Sequence, residues 1–222
     1  MKNKKLLSDI KEYLKCYENQ VLEDWYELIR HISVSETGEG IETCCDWIQK
    51  KMEEIGIQVT KYSVKPAPVL VGRFGNDPEK KTVLIYAHYD VKPAGERKLW
   101  HSDPFVPTVR DGKVYARGSA DNKSPLMAHL KALEYFIRRK MEVPVNVIFV
   151  FEGDEECGSR GLEEFLAEHR TELAADLVFF SDGPKDPSGL PIIALGAKGD
   201  LSIHITVETM NRNVHARYAP VL

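Results

Sequence analysis

Thr82-Val-Leu-Ile-Tyr-Ala-His-Tyr-Asp90 is the stretch on which the fold turns. The continuous run from Thr82 to Ala87 predicts a strand buried on both faces, because a strand with one wet face alternates apolar and polar residues. An imidazole and a carboxylate follow at once, at His88 and Asp90. The same arrangement recurs twice downstream. The run Val145 to Phe151 leads into Asp154-Glu155-Glu156, and Asp176 to Phe180 leads into Asp182.

Helical periodicity covers residues 5 to 32, where Leu6, Ile10, Leu14, Val21, Trp25, Leu28, Ile29 and Ile32 recur at helical intervals. A second helix is expected over 41 to 55, with Gly56 as its stop. Strand-like runs follow at Gln58 to Val64 and Val69 to Phe74. Ser124 and Pro125 predict a helix start, with Ser124 as N-cap, continuing to about Lys140. Gly161 to His169 also looks helical. Strands alternating with helices argue for an α/β class with a layered sheet, whose strand order periodicity does not give. Around Pro184 to Gly189 the composition turns to Pro, Asp, Ser and Gly, as at a domain boundary. Beyond it, Leu201, Ile203, Ile205 and Val207 alternate with polar residues like a half-exposed strand of a smaller unit.

Composition narrows the function classes. The 222 residues are 43% hydrophobic, enough for one full-sized domain and part of a second. Thirty Lys and Arg are interspersed with 34 Asp and Glu, giving a formal charge of -4. No basic stripe favours nucleic acid. No apolar stretch of membrane-spanning length occurs. Lys2, Lys4 and Lys5 precede too short an apolar run to make a signal peptide. Cys16, Cys44, Cys45 and Cys157 form no CxxC pair and no disulfide framework, so a reducing cytoplasm is expected, with Cys157 as a packing residue. Neither GxGxxG nor GxxxxGK[ST] occurs, which removes the support for a nucleotide-binding protein.

Three strands that deliver His88 and Asp90, Glu155 and Glu156, and Asp182 from their carboxyl ends point to the edge of an open α/β sheet where ligands bind. Each element alone has a plainer explanation. A single HxD can be a surface turn, Glu155-Glu156 a helix entry, and Asp182 before Gly183-Pro184 a turn residue. Together they suggest one crevice. Carboxylates gathered there cannot all stay ionised without cations, and one or two imidazoles with several carboxylates suit zinc, with manganese or cobalt as substitutes.

Four segments carry a resemblance: His88-Tyr-Asp-Val-Lys-Pro93, Trp100-His-Ser-Asp-Pro-Phe105, Asp111-Gly-Lys-Val-Tyr-Ala-Arg-Gly-Ser-Ala-Asp-Asn-Lys123 and Glu152-Gly-Asp-Glu-Glu-Cys-Gly-Ser159. In this order the chain resembles the M20 metallopeptidases, which include carnosinase-like dipeptidases, glutamate carboxypeptidases and N-acyl amino-acid deacylases. The wording HYDVKP with WHSDPF is closer to the dipeptidase branch than to the deacetylase branch.

The resemblance implies a three-layer α/β/α sheet, with residues 1–195 as the catalytic, metal-binding part and 196–222 as the start of a smaller α+β lid. It implies two divalent metal ions. His88 and Asp182 would hold one, Asp121 would bridge both, and Glu156 would hold the other. Asp90 would orient the His88 ring, Glu155 would act as general base, and the Asp121-Asn122 peptide bond would be cis. The activity implied is hydrolysis of the amide bond of a dipeptide or small peptide, or alternatively of an N-acyl amino acid. No nucleic acid or membrane partner is expected. A further histidine ligand of the family lies beyond Leu222, so the expectation is of a truncated chain whose second ion lacks a ligand. An inactive metal-binding fragment is the non-enzymatic alternative. His215, in Asn211-Arg-Asn-Val-His215, is similar to the lid histidine that in dimeric members reaches the partner's site, which implies a possible homodimer. Here Ala216 and Arg217 replace the usual Ser-Gly, and the alternative for His215 is a surface residue.

Overall fold

The structure is a computed structural model that describes residues 2–183, together with 188–190, 192–193, 199, 201 and 203–206. The chain divides into two units, Met1–Gly183 and Pro184–Leu222. The first unit holds a five-stranded sheet. Helix α1 spans Lys2–Arg30 and α2 spans Ile41–Ile55; strands β1 (Gln58–Tyr62), β2 (Val69–Phe74) and β3 (Thr82–His88) follow. Next come a short hairpin, β4 (Thr108–Arg110) and β5 (Lys113–Tyr115), helix α3 (Lys123–Arg138), strand β6 (Asn146–Glu152), helix α4 (Leu162–Glu168) and strand β7 (Leu177–Phe180).

The sheet order is β1-β2-β6-β3-β7. The first two strands run antiparallel to their neighbours, whereas β6, β3 and β7 are mutually parallel. Their carboxyl ends therefore open on one edge of the sheet, with His88 opposite Glu152. Alternation sorts the strand residues into two apolar layers. Leu70, Ala87, Phe149 and Phe151 face α1, α2 and α3 through Leu28, Ile48, Met52, Leu126 and Leu130. Val71, Leu84, Tyr86, Ile148 and Val150 face the other way, onto Phe165 of α4 and Leu173. Helices on both faces make the expected three-layer α/β arrangement. They also explain why β6 is apolar without interruption from Val147 to Phe151, since all seven of its residues are buried.

Three expectations need correction. Strand β7 is not buried: Leu177, Val178, Phe179 and Phe180 are all exposed, because among the described residues the strand stands at the sheet edge, paired only with β3. Helix α3 starts two residues earlier than expected, at Lys123 with Asn122 at the N-cap. Ser124 and Pro125 lie inside its first turn, where a missing N–H costs nothing. The strand expected at 201–207 is absent at its described residues, 201 and 203–206.

Candidate metal centre

The strand β3 ends on an imidazole that solvent does not reach. His88 is 0% exposed, and its Nδ1 faces Asp90, 3.1 Å from the carbonyl oxygen and 3.3 Å from Oδ1. With Nδ1–H donated to Asp90, Nε2 is left facing the crevice. Three carboxylates converge on that nitrogen: Asp121 Oδ1 at 3.0 Å, Asp182 Oδ2 at 3.3 Å and Glu155 Oε2 at 3.7 Å. They come from three loops far apart in sequence. Among the described residues, His88, Asp121 and Asp182 form a group whose ligand atoms all lie within 4.8 Å of one another.

The electrostatics follow from this geometry. Burial pulls the His88 imidazolium down, but Asp90, Glu155 and Asp182 outweigh it and raise the pKa to about 9. Burial likewise raises the Asp90 carboxyl, yet the hydrogen bond and charge of His88 leave it lowered overall. Glu155 is raised, first by burial and then by Asp182, Glu156 and Asp90, with His88 opposing. An imidazole nitrogen ringed by three carboxylates requires positive charge at that point, either a proton or a cation. The residues thus fit a divalent metal, whose imidazole-plus-carboxylate ligands they would supply.

Each loop is pinned. Asp90 accepts the backbone N–H of Glu155 on Oδ1 and that of Glu156 on Oδ2, both at 3.1 Å, which fixes the turn Glu155–Cys157. Asn122 Nδ2 donates to Ser181 O at 3.0 Å, tying the Asp121 segment to the loop of Asp182. The Asp121-Asn122 bond is cis, as the resemblance implies. Glu152, buried at the end of β6, accepts from the hydroxyls of Tyr86 and Ser159.

Not every predicted residue joins the group. The Glu156 carboxylate faces Lys92 Nζ at 3.5 Å. Asp154, singled out with its neighbours, is clamped by Arg160, whose Nη2 donates to Oδ1 at 2.7 Å and whose Nε donates to Oδ2 at 3.0 Å. His215 lies outside the described residues. Sequence reasoning missed Lys123 and Glu152 as buried polar groups of the site's support. Both fall inside quoted motifs, the only signal that could have singled them out.

Against this geometry the comparisons are decisive. Residues 84–220 match the model of Peptidase family M20/M25/M40. The chain belongs to that family. It is 40% identical over 172 residues to the Cys-Gly metallodipeptidase dug1 of Schizosaccharomyces pombe, covering 75% of this chain and 36% of that protein. It is 36% identical over 151 residues to the Beta-Ala-His dipeptidase of Homo sapiens, covering 67% and 30%. Among solved structures, human carnosine dipeptidase 1 superposes with a TM-score of 0.76 at 29% identity, covering 80% of this chain and 41% of that one. The M20 family metallo-carboxypeptidase Sso-CP2 from Sulfolobus solfataricus gives 0.72 at 36% identity, covering 76% and 38%. The chain thus spans between about a third and a half of the length of the curated relatives it matches. Among the described residues no helix is long and apolar enough to cross a membrane.

Proposed function

We propose that this chain carries the metal-holding part of a dipeptidase that hydrolyses the amide bond of dipeptides or small peptides. The observation that carries the proposal is the convergence of Asp121, Asp182 and Glu155 on Nε2 of buried His88. The relatives named for Cys-Gly and Beta-Ala-His dipeptides favour peptides over N-acyl amino acids.

His88 and Asp182 would hold one ion, Asp121 would bridge to a second, and Glu156 would take the second once released from Lys92. Zinc suits this donor set best, with manganese or cobalt as substitutes. Bound divalent ions would supply Lewis acidity, polarising the scissile carbonyl and acidifying a water molecule. Asp90 keeps the His88 tautomer fixed by accepting from Nδ1, so that Nε2 stays available. Glu155, whose pKa is raised, takes the proton of the attacking water on its carboxylate and returns it to the leaving nitrogen. An amide nitrogen leaves poorly unless protonated, which is why a carboxyl poised to donate belongs here.

The division into a catalytic part, 1–195, and the start of a lid, 196–222, belongs to the same proposal. So do a cytoplasmic location, a homodimer formed through the lid, and a part for His215 in the partner's site. The test is hydrolysis of a panel of dipeptides and N-acyl amino acids with and without chelator. Chelator-sensitive cleavage of dipeptides, abolished by Glu155→Gln, supports the proposal. Turnover that survives metal removal, or a preference for N-acyl substrates, refutes it.

A further inference from the structure

Lys123 is 1% exposed, a cationic side chain deep inside the first unit. Its Nζ donates to Leu28 O at 3.1 Å and to His31 O at 2.6 Å. Leu28 lies in the last turn of α1, whose carbonyl groups lack partners within the helix, so Lys123 caps a helix more than ninety residues away in sequence. Burying an amine is costly, and an apolar side chain of the same length would fill the space without that cost.

The place it fastens explains its presence. Three residues past α1, Ser33 Oγ donates to Tyr89 O at 2.6 Å, and Val91 N donates to Ser33 O at 2.8 Å. The end of α1 thus holds the loop of His88 and Asp90. Lys123 holds the segment of Asp121 to that same end, and its own N–H is donated to Gly118 O at 3.2 Å. At Gly118 a side chain would meet Val91 at 2.6 Å, so the two loops are packed in direct apposition. The separation of Asp121 from His88 is therefore fixed through Lys123, the α1 terminus and Ser33.

We propose that Lys123 is a positioning residue for the metal centre, setting the distance between Asp121 and His88 by clamping the Asp121 segment to the carboxyl end of α1. This rests on the metal reading above and adds a residue that touches neither ion nor substrate.

The experiment measures zinc affinity by competition with a chromophoric chelator, and the visible spectrum of the cobalt(II)-loaded protein. It compares the wild type with Lys123→Met, Lys123→Gln and Lys131→Met. Lys131 is also a buried lysine, but it pairs with Asp24 and Glu134 away from the centre, so its variant reports loss of a buried cation alone. Lys123→Met is expected to bind zinc about 10- to 100-fold more weakly and to alter the cobalt spectrum. Lys123→Gln, which keeps a donor, falls between it and the wild type and decides the matter if the Met variant does not fold. Lys131→Met melts earlier but keeps wild-type affinity and spectrum. Wild-type affinity in both Lys123 variants, or an equal loss in Lys131→Met, overturns the role of Lys123 alone. No zinc binding by the wild type overturns the metal reading and this inference together.

Discussion

Asp90 holds Glu155 by its backbone rather than its side chain: the carboxylate accepts the Glu155 N–H at 3.1 Å, leaving the Glu155 carboxylate free to face His88. The other oxygen of Asp90 does the same for Glu156. One buried carboxylate therefore orients the imidazole and sets the turn that carries two further acids.

Replacing it should damage both stability and metal binding. Asp90→Asn turns one acceptor into a donor that confronts a backbone N–H. The metal-free protein should lose about 1–3 kcal/mol in urea unfolding. Zinc affinity should fall about tenfold or more in a chelator competition. Unchanged values for both would show that the clamp is dispensable.

Glu155→Gln removes the proton acceptor while preserving shape. Dipeptide hydrolysis should drop at least about 100-fold, with zinc content equal to wild type by atomic absorption. If zinc is lost with activity, Glu155 is a ligand and the base must be sought elsewhere.

The pH dependence follows from His88. Its folded-state pKa is raised from 6.5 to about 9, so its contribution to stability is complete below 6.5 and is lost as pH rises to 9. The metal-free protein should therefore melt at falling temperatures across that window. Zinc must displace the same proton, so apparent zinc affinity should rise over the same interval. Parallel trends of the two, by calorimetry, would contradict the assignment.

Gly153 sits under the ring of Tyr89. A Cβ there would meet Tyr89 Cζ and Oη at 2.5 Å, and the ring, fully buried and donating its hydroxyl to Pro68 O at 2.7 Å, has nowhere to go. Gly153→Ala should cost about 1–3 kcal/mol in chemical denaturation. A neutral result would mean that the strand end shifts freely.

Much of this was written in the sequence for a simple reason. Strands β3 and β6 are buried on both faces, so their apolar runs stand out, and the groups just beyond them are marked by position. The exposure of β7 was not legible, because an edge strand and a central one can share the composition Leu-Val-Phe-Phe and only neighbours distinguish them. The β4–β5 hairpin had a local signal that went unused: Asp111-Gly112, with φ of 49° and 68°, between Thr108-Val-Arg and Lys113-Val-Tyr. Lys123 had none beyond its motif, since nothing in its surroundings along the chain announces a contact with Leu28. The detachment of Asp154 from the crevice was equally hidden, for it depends on Arg160 folding back through a 3-10 turn.

Of the four groups that meet in the crevice, Asp121, Glu155 and Asp182 lie on connecting segments outside the sheet, whereas His88 is the last rung of a sheet ladder. Loops can be exchanged without disturbing the layers beneath them. An engineer could rewrite those three acids and keep the scaffold, but position 88 answers to two masters, and any change there is felt by the architecture and the chemistry at once.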